Sequence, residues 1–368
     1  MIYFDNAATS WPKPPGVKEA LLESLENAGN PGRGTHSAAK WSAYKLFEVR
    51  EKAAELFHVK DPLRIAFTMN ATHALNIAAN LCYGQIVITE MDHNSVLRPC
   101  VSRGYYHIVK ADRNGGIEAD KVIKSISDVT GAVMMTHISN VTGQIYDIRK
   151  IGAACREKGV TFIVDAAQSA GVEELDVEKM NIDVLCFTGH KGLFGIQGTG
   201  GIYVAPHVRI RPYMCGGTGS KSFELTQPKD MPDCFEAGTV NTHGVAALGA
   251  GLDFIKSVGL EQIRAKDRTL RQYFVERALR LPNIIVYGGT ECPDRFAGVV
   301  SINIKGRDPV RVGSFLGDQS VCSRPGFHCA PLAHRAIGTQ ERGTVRFSFN
   351  YFNTKDEIDE VLSLLKNL

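Results

Sequence analysis

A lysine and an aspartate stand at the ends of two consecutive apolar runs. Asp165 closes Val160-Thr-Phe-Ile-Val-Asp165, and Ala-Ala-Gln168 follows it. If this run is a strand of a parallel sheet, Asp165 lies at its carboxyl end, where such sheets bind ligands. A carboxylate there could hold a ribose, a metal or the protonated ring nitrogen of a pyridinium cofactor, or simply cap the next helix. The following run, Asp183-Val-Leu-Cys-Phe187, leads into Thr188-Gly-His-Lys191 and then Gly192, Gly195, Gly198, Gly200 and Gly201. A lysine at a strand end beside a glycine-dense loop suits an amine that forms a Schiff base. It needs partial desolvation to be nucleophilic, and the backbone must leave room for a ligand. The glycines are not a phosphate loop, because no G-x-x-x-x-G-K-[ST] pattern is present. A solvated lysine in a flexible loop is the plain alternative, and the nearby Asp165 weighs against it.

A third reactive segment is Arg324-Pro-Gly-Phe-His-Cys-Ala330. Sulfur nucleophiles act as thiolates, and Arg324 and His328 beside Cys329 could favour that form. Cys322, His328, Cys329 and His334 are close enough in sequence to suggest a metal site. Their spacing matches no zinc pattern and the stretch has no carboxylate, so no metal is expected.

The elements that must position these groups are legible as seven short apolar runs, at residues 64–68, 85–89, 106–109, 131–136, 161–164, 183–187 and 201–204. Most lack polar alternation, as strands buried on both faces do. Helical patterns at 72–81, 118–127 and 147–158 separate several of them, which predicts an α/β fold with a mostly parallel sheet covered on both sides. Upstream, 37–57 reads as one amphipathic helix. Downstream, 242–258 and 260–280 are helical, with Gly259 between them and Pro282 as a stop. Beyond lie strand-like 284–287, 299–304 and 345–349, a helix near 310–316, and a closing helix from Thr354, where Glu357 completes a capping-box pattern. This organisation predicts a large domain over 14–258 and a small α+β domain formed by 1–13 and 259–368, the latter carrying the Cys329 loop.

Composition narrows the function classes. The chain has 368 residues, longer than one core usually supports. Forty-two Lys and Arg against thirty-nine Asp and Glu leave a net charge of +3, with no basic run, so neither nucleic acid nor a membrane surface is an expected partner. A small molecule is. No apolar stretch is long enough to span a bilayer, and the opening residues lack a basic secretory region. Nine scattered cysteines without a C-x-x-C pair suit a reducing, cytoplasmic setting.

Asp165-Ala-Ala-Gln168 followed by Thr188-Gly-His-Lys191 resembles the class V aminotransferase group, specifically its cysteine desulfurases and selenocysteine lyases. The resemblance extends from Tyr3-Phe-Asp-Asn-Ala-Ala-Thr9 to the last helix. It implies a fold type I pyridoxal-phosphate transferase, normally a homodimer with sites at the subunit interface. By this resemblance Lys191 carries the cofactor, Asp165 pairs with the pyridine nitrogen and Gln168 bonds the ring hydroxyl. His93, in Glu90-Met-Asp-His-Asn94, matches a histidine that stacks on the ring and shuttles a proton. Ala71 and Thr72 would sit at the phosphate, where a helix N-terminus favours anions, with Thr188 and His190 adding contacts and Thr239 reaching in from the partner subunit. Thr72 could at the same time cap that helix. Asn140 would flank ring and substrate.

Arg324-Pro-Gly-Phe-His-Cys-Ala330 resembles the R-x-G-x-H-C signature of the desulfurase subgroup with a short cysteine loop. This implies that Cys329 accepts sulfur and that Arg324 and Arg346 bind substrate, Arg346 by a two-pronged grip on its carboxylate. The implied reaction converts L-cysteine to L-alanine with a persulfide on Cys329. Selenocysteine lyase, or another C–S lyase or aminotransferase on the same cofactor, is the alternative; a sulfur-acceptor protein is a further expected partner. His73, Pro325 and Pro331 depart from the pattern, and the two prolines could stiffen or redirect the loop.

Overall fold

The computed structural model describes residues 1–32, 34–290 and 292–368. A two-residue strand, β1 (Ile2–Tyr3), precedes helices α1 (Pro15–Asn27) and α2 (Ser37–Phe57). Then β2 (Ile65–Thr68), α3 (Ala71–Leu81), β3 (Gln85–Thr89), α4 (Asn94–Ser102), β4 (Tyr106–Val109), α5 (Ala119–Lys124), β5 (Thr130–Thr136), α6 (Ile148–Lys158), β6 (Thr161–Asp165), β7 (Val184–Thr188) and β8 (Gly200–Val204) follow. Strands β2 to β8 form a seven-stranded sheet in the order β2-β8-β7-β6-β5-β3-β4.

Alternate residues of the central strands enter two separate cores. Val87, Val133, Met135, Phe162, Val164, Leu185 and Phe187 face one side, with α2 and α6. Ile86, Ile88, Ala132, Met134, Ile163, Val184 and Cys186 face the other, with α3 and α4. Both sides are apolar, so no polar alternation survives in the sequence. Only β8 runs against its neighbours β2 and β7. The stretch from β7 to β8 contains no helix, and a parallel return requires a longer crossover. The helix expected over 118–127 is also shorter. It ends at Lys124, where the Ser125 hydroxyl bonds the Val122 carbonyl at 2.6 Å.

Helices α7 (Thr242–Val258) and α8 (Leu260–Ala278) lead to β9 (Ile284–Tyr287), β10 (Val299–Ile304), α9 (Pro309–Asp318), β11 (Val321–Cys322), β12 (Arg324–Gly326), α10 (Pro331–Ala336), β13 (Thr344–Ser348) and α11 (Lys355–Lys366). A second, antiparallel sheet has the order β12-β13-β10-β9. It shares a core of Phe274, Val300, Ile302, Phe347, Ile358 and Val361 with α8 and α11. The capping box at Thr354 and Glu357 is present. Strand β1 pairs in parallel with β11, and Phe4 is fully buried in this core. The first residues are therefore built into the carboxyl-terminal part of the fold.

Candidate active site

Strands β6 and β7 are parallel neighbours, so Asp165 and Thr188 come to the same end of the sheet. Asp165 is 3% exposed, and its carboxylate accepts the Ala167 N–H at 2.9 Å. No helix follows Asp165 before β7, so this bond caps a turn and not the helix that the sequence left open, and the second oxygen remains available beside it. Burial raises the Asp165 pKa, while the Ala167 amide and Lys191 oppose the rise. Burial pulls the Lys191 amine down to about 8, with Asp165 pushing the other way. Lys191 is thus a largely desolvated amine facing a buried carboxylate. It lines a small cavity with Gln168, Asn6 and Asn350. The Gln168 side chain donates to the Ala7 carbonyl at 3.0 Å.

His93 caps α4: its ring accepts the Ser95 N–H at 3.1 Å, and the Ser95 hydroxyl lies 2.9 Å from the same nitrogen. Burial, then the Lys191 charge, lowers His93 to about 4, so it is a neutral base at physiological pH. The Ser95 hydroxyl also meets that of Thr72 at 2.7 Å, which ties the N-terminus of α3 to that of α4. The N-cap of α3 is Asn70, whose side chain accepts from His73 N–H at 2.9 Å; Thr72, read from sequence as a possible cap, is inside the helix. This leaves the amides of Ala71 and Thr72 at the open, electropositive end. Gly200 fits beneath: a Cβ on it would lie 2.9 Å from Asn70 Cα and 2.7 Å from Phe187 O.

Thr188 donates to Thr199 O at 3.3 Å. The His190 carbonyl accepts from Thr9, Ser10 and Lys13, while its buried ring Nδ1 has no partner. Burial and the Lys191 charge keep that ring neutral, at about 4. Thr239 is exposed and lines a cleft with Met69 and His73, beside the start of α3.

Cys329 is exposed and lines a cleft with His93, Thr72 and Arg98. His328 and Cys329 both adopt left-handed backbone, φ 50° and 54°. Each such residue costs on the order of 1 kcal/mol or more, so surrounding bonds must hold the turn. Two of them are Asn140 Nδ2 to His328 O at 2.7 Å and Asn94 N to Cys329 O at 2.7 Å. Both prolines fit: Pro325 lies in edge strand β12, and Pro331 opens α10.

Arg324 and Arg346 face each other across β12 and β13. Asp5 sits between them, accepting from Arg324 Nη2 at 2.7 Å and Arg346 Nη2 at 3.2 Å. Arg346 is 3% exposed and also donates to Asn140 O at 3.0 Å; its Nε is buried without a partner. Arg346 is thus no surface ion pair.

Cationic assistance from His328 fails. Burial, reinforced by Arg346, holds it near 2, and its nitrogens bond Arg324 O and His334. The charges close to Cys329 are Arg324, Arg346 and Lys191. The Cys322, His328, Cys329 and His334 set does not gather as metal ligands. Among the described residues only His58, Glu174 and Asp176 do, and Asp176 is already bonded to the Glu178 and Lys179 amides.

A family model described as Aminotransferase class-V matches residues 2–361. The chain belongs to the class-V aminotransferase family. A probable cysteine desulfurase of Methanothermobacter thermautotrophicus is 34% identical over 97% of this chain and 92% of the relative. A cysteine desulfurase of Cronobacter sakazakii is 30% identical over 99% and 92%. The apo structure of a cysteine desulfurase from Thermococcus onnurineus NA1 superimposes with a TM-score of 0.94, at 32% identity, covering 100% of this chain and 94% of the other. The α/β architecture described above is the fold type I transferase fold of that class-V aminotransferase family. At this site the residue that the sequence did not single out is Asp5, while His334, named there only as a possible metal ligand, bonds His328 instead. Asp5 lay inside the quoted Tyr3–Thr9 motif, which was the one available signal; its partners are more than 300 positions away.

Proposed function

We propose that this chain is a pyridoxal-phosphate-dependent cysteine desulfurase that converts L-cysteine to L-alanine and leaves the sulfur as a persulfide on Cys329. The observation that carries it is an exposed thiol, on a strained turn, within electrostatic reach of a desolvated lysine and two guanidiniums. When bound, pyridoxal phosphate supplies an electron sink for bond changes at the substrate's α and β carbons. The residues fit that group: an aldehyde suits the Lys191 amine, a protonated ring nitrogen suits buried Asp165, and an anion suits the open N-terminus of α3 and the unpartnered His190 Nδ1.

In this reading Lys191 anchors the cofactor and then takes the Cα proton. Ala71, Thr72, Thr188 and His190 hold the phosphate, joined by Thr239 from a second copy of the chain in a homodimer. Gln168 would hold the ring hydroxyl and His93, neutral, stacks and carries a proton. Asn140 and Arg346 orient the substrate, the unpartnered Arg346 Nε facing its carboxylate, with Arg324 beside it. The Cys329 thiolate attacks the substrate sulfur. A new S–S bond forms, the Cβ–S bond breaks, and the electron pair left at Cβ takes up a proton. The domain division at 14–258 against 1–13 and 259–368 is supported by the β1–β11 pairing. Among the described residues no helix is long and apolar enough to cross a membrane. All nine cysteines are unpaired, which suits a reducing setting; the cytoplasm and a sulfur-acceptor protein as partner belong to the same reading.

Purified protein given cysteine or selenocysteine, with alanine and released chalcogen measured, tests this. Lys191→Ala is expected to lose the cofactor's visible absorbance and all turnover. Cys329→Ala is expected to keep the absorbance and lose sulfur release by about 1,000-fold or more. Undiminished sulfur release by Cys329→Ala sinks the acceptor role, and release from selenocysteine alone favours the lyase.

A further inference from the structure

The Cys329 turn leans on buried groups that no step above uses. His328 Nδ1 and His334 Nε2 meet at 3.1 Å, His328 Nε2 is 2.9 Å from Arg324 O, and His334 Nδ1 is 2.7 Å from Thr339 Oγ1. Both rings are buried, His334 completely.

The direction of these bonds follows from elementary chemistry. A carbonyl only accepts, so His328 Nε2 carries its proton and donates to Arg324. The Nδ1 of a neutral ring must then accept, which puts the His334 proton on Nε2. His334 Nδ1 therefore accepts from the Thr339 hydroxyl. Burial, with Arg346 adding to it, keeps His328 near 2 and His334 near 4, so both rings stay neutral and the chain runs one way.

Both nitrogens of His328 are engaged in this chain, which leaves it no proton to exchange with Cys329. What the chain can do is fix geometry. His334 belongs to α10, which begins two residues after Cys329, and Thr339 lies just beyond that helix. The helix is thereby bound to the left-handed residue that precedes the thiol. We propose that His334 and Thr339 are positioning residues that act through His328 to hold Cys329 on its left-handed turn. The proposal rests on the reading of Cys329 as the sulfur acceptor.

The test uses holoenzyme of four variants. His334→Phe removes both bonds at similar volume, and Thr339→Val removes only the hydroxyl. His334→Gln keeps a donor for His328, and Thr339→Ser keeps the hydroxyl. Persulfide loading of Cys329 from cysteine is followed by mass spectrometry, beside the cysteine KM and the cofactor absorbance. His334→Phe is expected to slow loading by about 10- to 100-fold, as small misplacements of reacting groups do. Thr339→Val slows it less, Thr339→Ser and His334→Gln restore most of it, and KM and absorbance hold throughout.

A wild-type loading rate in His334→Phe overturns the proposal. So does a parallel loss of absorbance and rise in KM, which marks a merely structural role. Should His334→Phe fail to fold, Thr339→Val carries the kinetic test. Nitrogen-15 spectra of the histidine rings then provide a second measurement: both must show a neutral ring protonated at Nε2. A His334 ring that titrates near the ordinary histidine value of about 6.5 overturns the proposal as well. Cys329→Ala, run alongside, separates the two ideas, because full sulfur release there defeats the acceptor reading whatever His334 does.

Discussion

Asp5 accepts hydrogen bonds from two guanidiniums that stand opposite each other on neighbouring strands. Without it, Arg346 is a buried charge facing a like charge, an arrangement that sheets avoid. Asp5→Ala is expected to lower unfolding stability by about 3 kcal/mol, the low end for breaking a buried pair, because Arg324 stays half exposed. Urea denaturation measures this, and the cysteine KM should rise more than kcat falls. Lys191 makes a second prediction. The neutral amine is the form that attacks an aldehyde, and burial brings its pKa to about 8 from 10.5. Pyridoxal-phosphate uptake by cofactor-free protein should accelerate as pH rises through about 8 and then level off. Stopped-flow absorbance that keeps climbing well past that point would mark a solvated lysine instead. Asp165 and Lys191 were legible in sequence because strand ends announce themselves. Asp5 was not, since nothing local says which distant arginines its carboxylate will meet.

At the level of elements, the start of α3 is shaped by β8 beneath it. Gly200 has no room for a Cβ between Asn70 and the Phe187 carbonyl, and backbone on both sides cannot swing away. Gly200→Ala should shift α3 from the sheet, costing about 1–3 kcal/mol by overpacking. The same shift displaces the Ala71 and Thr72 amides, so cofactor affinity in equilibrium dialysis should fall while Lys191 stays intact. The seven sheet strands were readable because burial on both faces leaves uninterrupted apolar runs. Strand direction was not: the reversal of β8 depends on the length and content of a connection, not on its own residues. Short β12 also escaped notice, since Arg324-Pro-Gly326 has no strand-like pattern and is held only by β13.

Across the whole molecule, the two sheets are joined by the chain's first residues as well as by α7 and α8. Asp5 bridges to Ser348, and the Ala7 amide bonds the Ser348 hydroxyl at 2.8 Å. No pattern in Ile2–Tyr3 itself carries the proposed placing of residues 1–13 with the small domain; the pairing of β1 with β11 supports it. That pairing has a consequence for biosynthesis. Ile2 and Tyr3 find their partners only at Val321 and Cys322. At about 5–20 residues per second the ribosome takes roughly 15 to 65 s to make the intervening stretch. Throughout that interval this hydrophobic segment, Phe4 included, waits unpaired while the large sheet assembles behind it. A nascent chain stalled before residue 321 would therefore hold a formed sheet and an unpaired Ile2–Phe4 segment, open to proteases until its partner strand is translated.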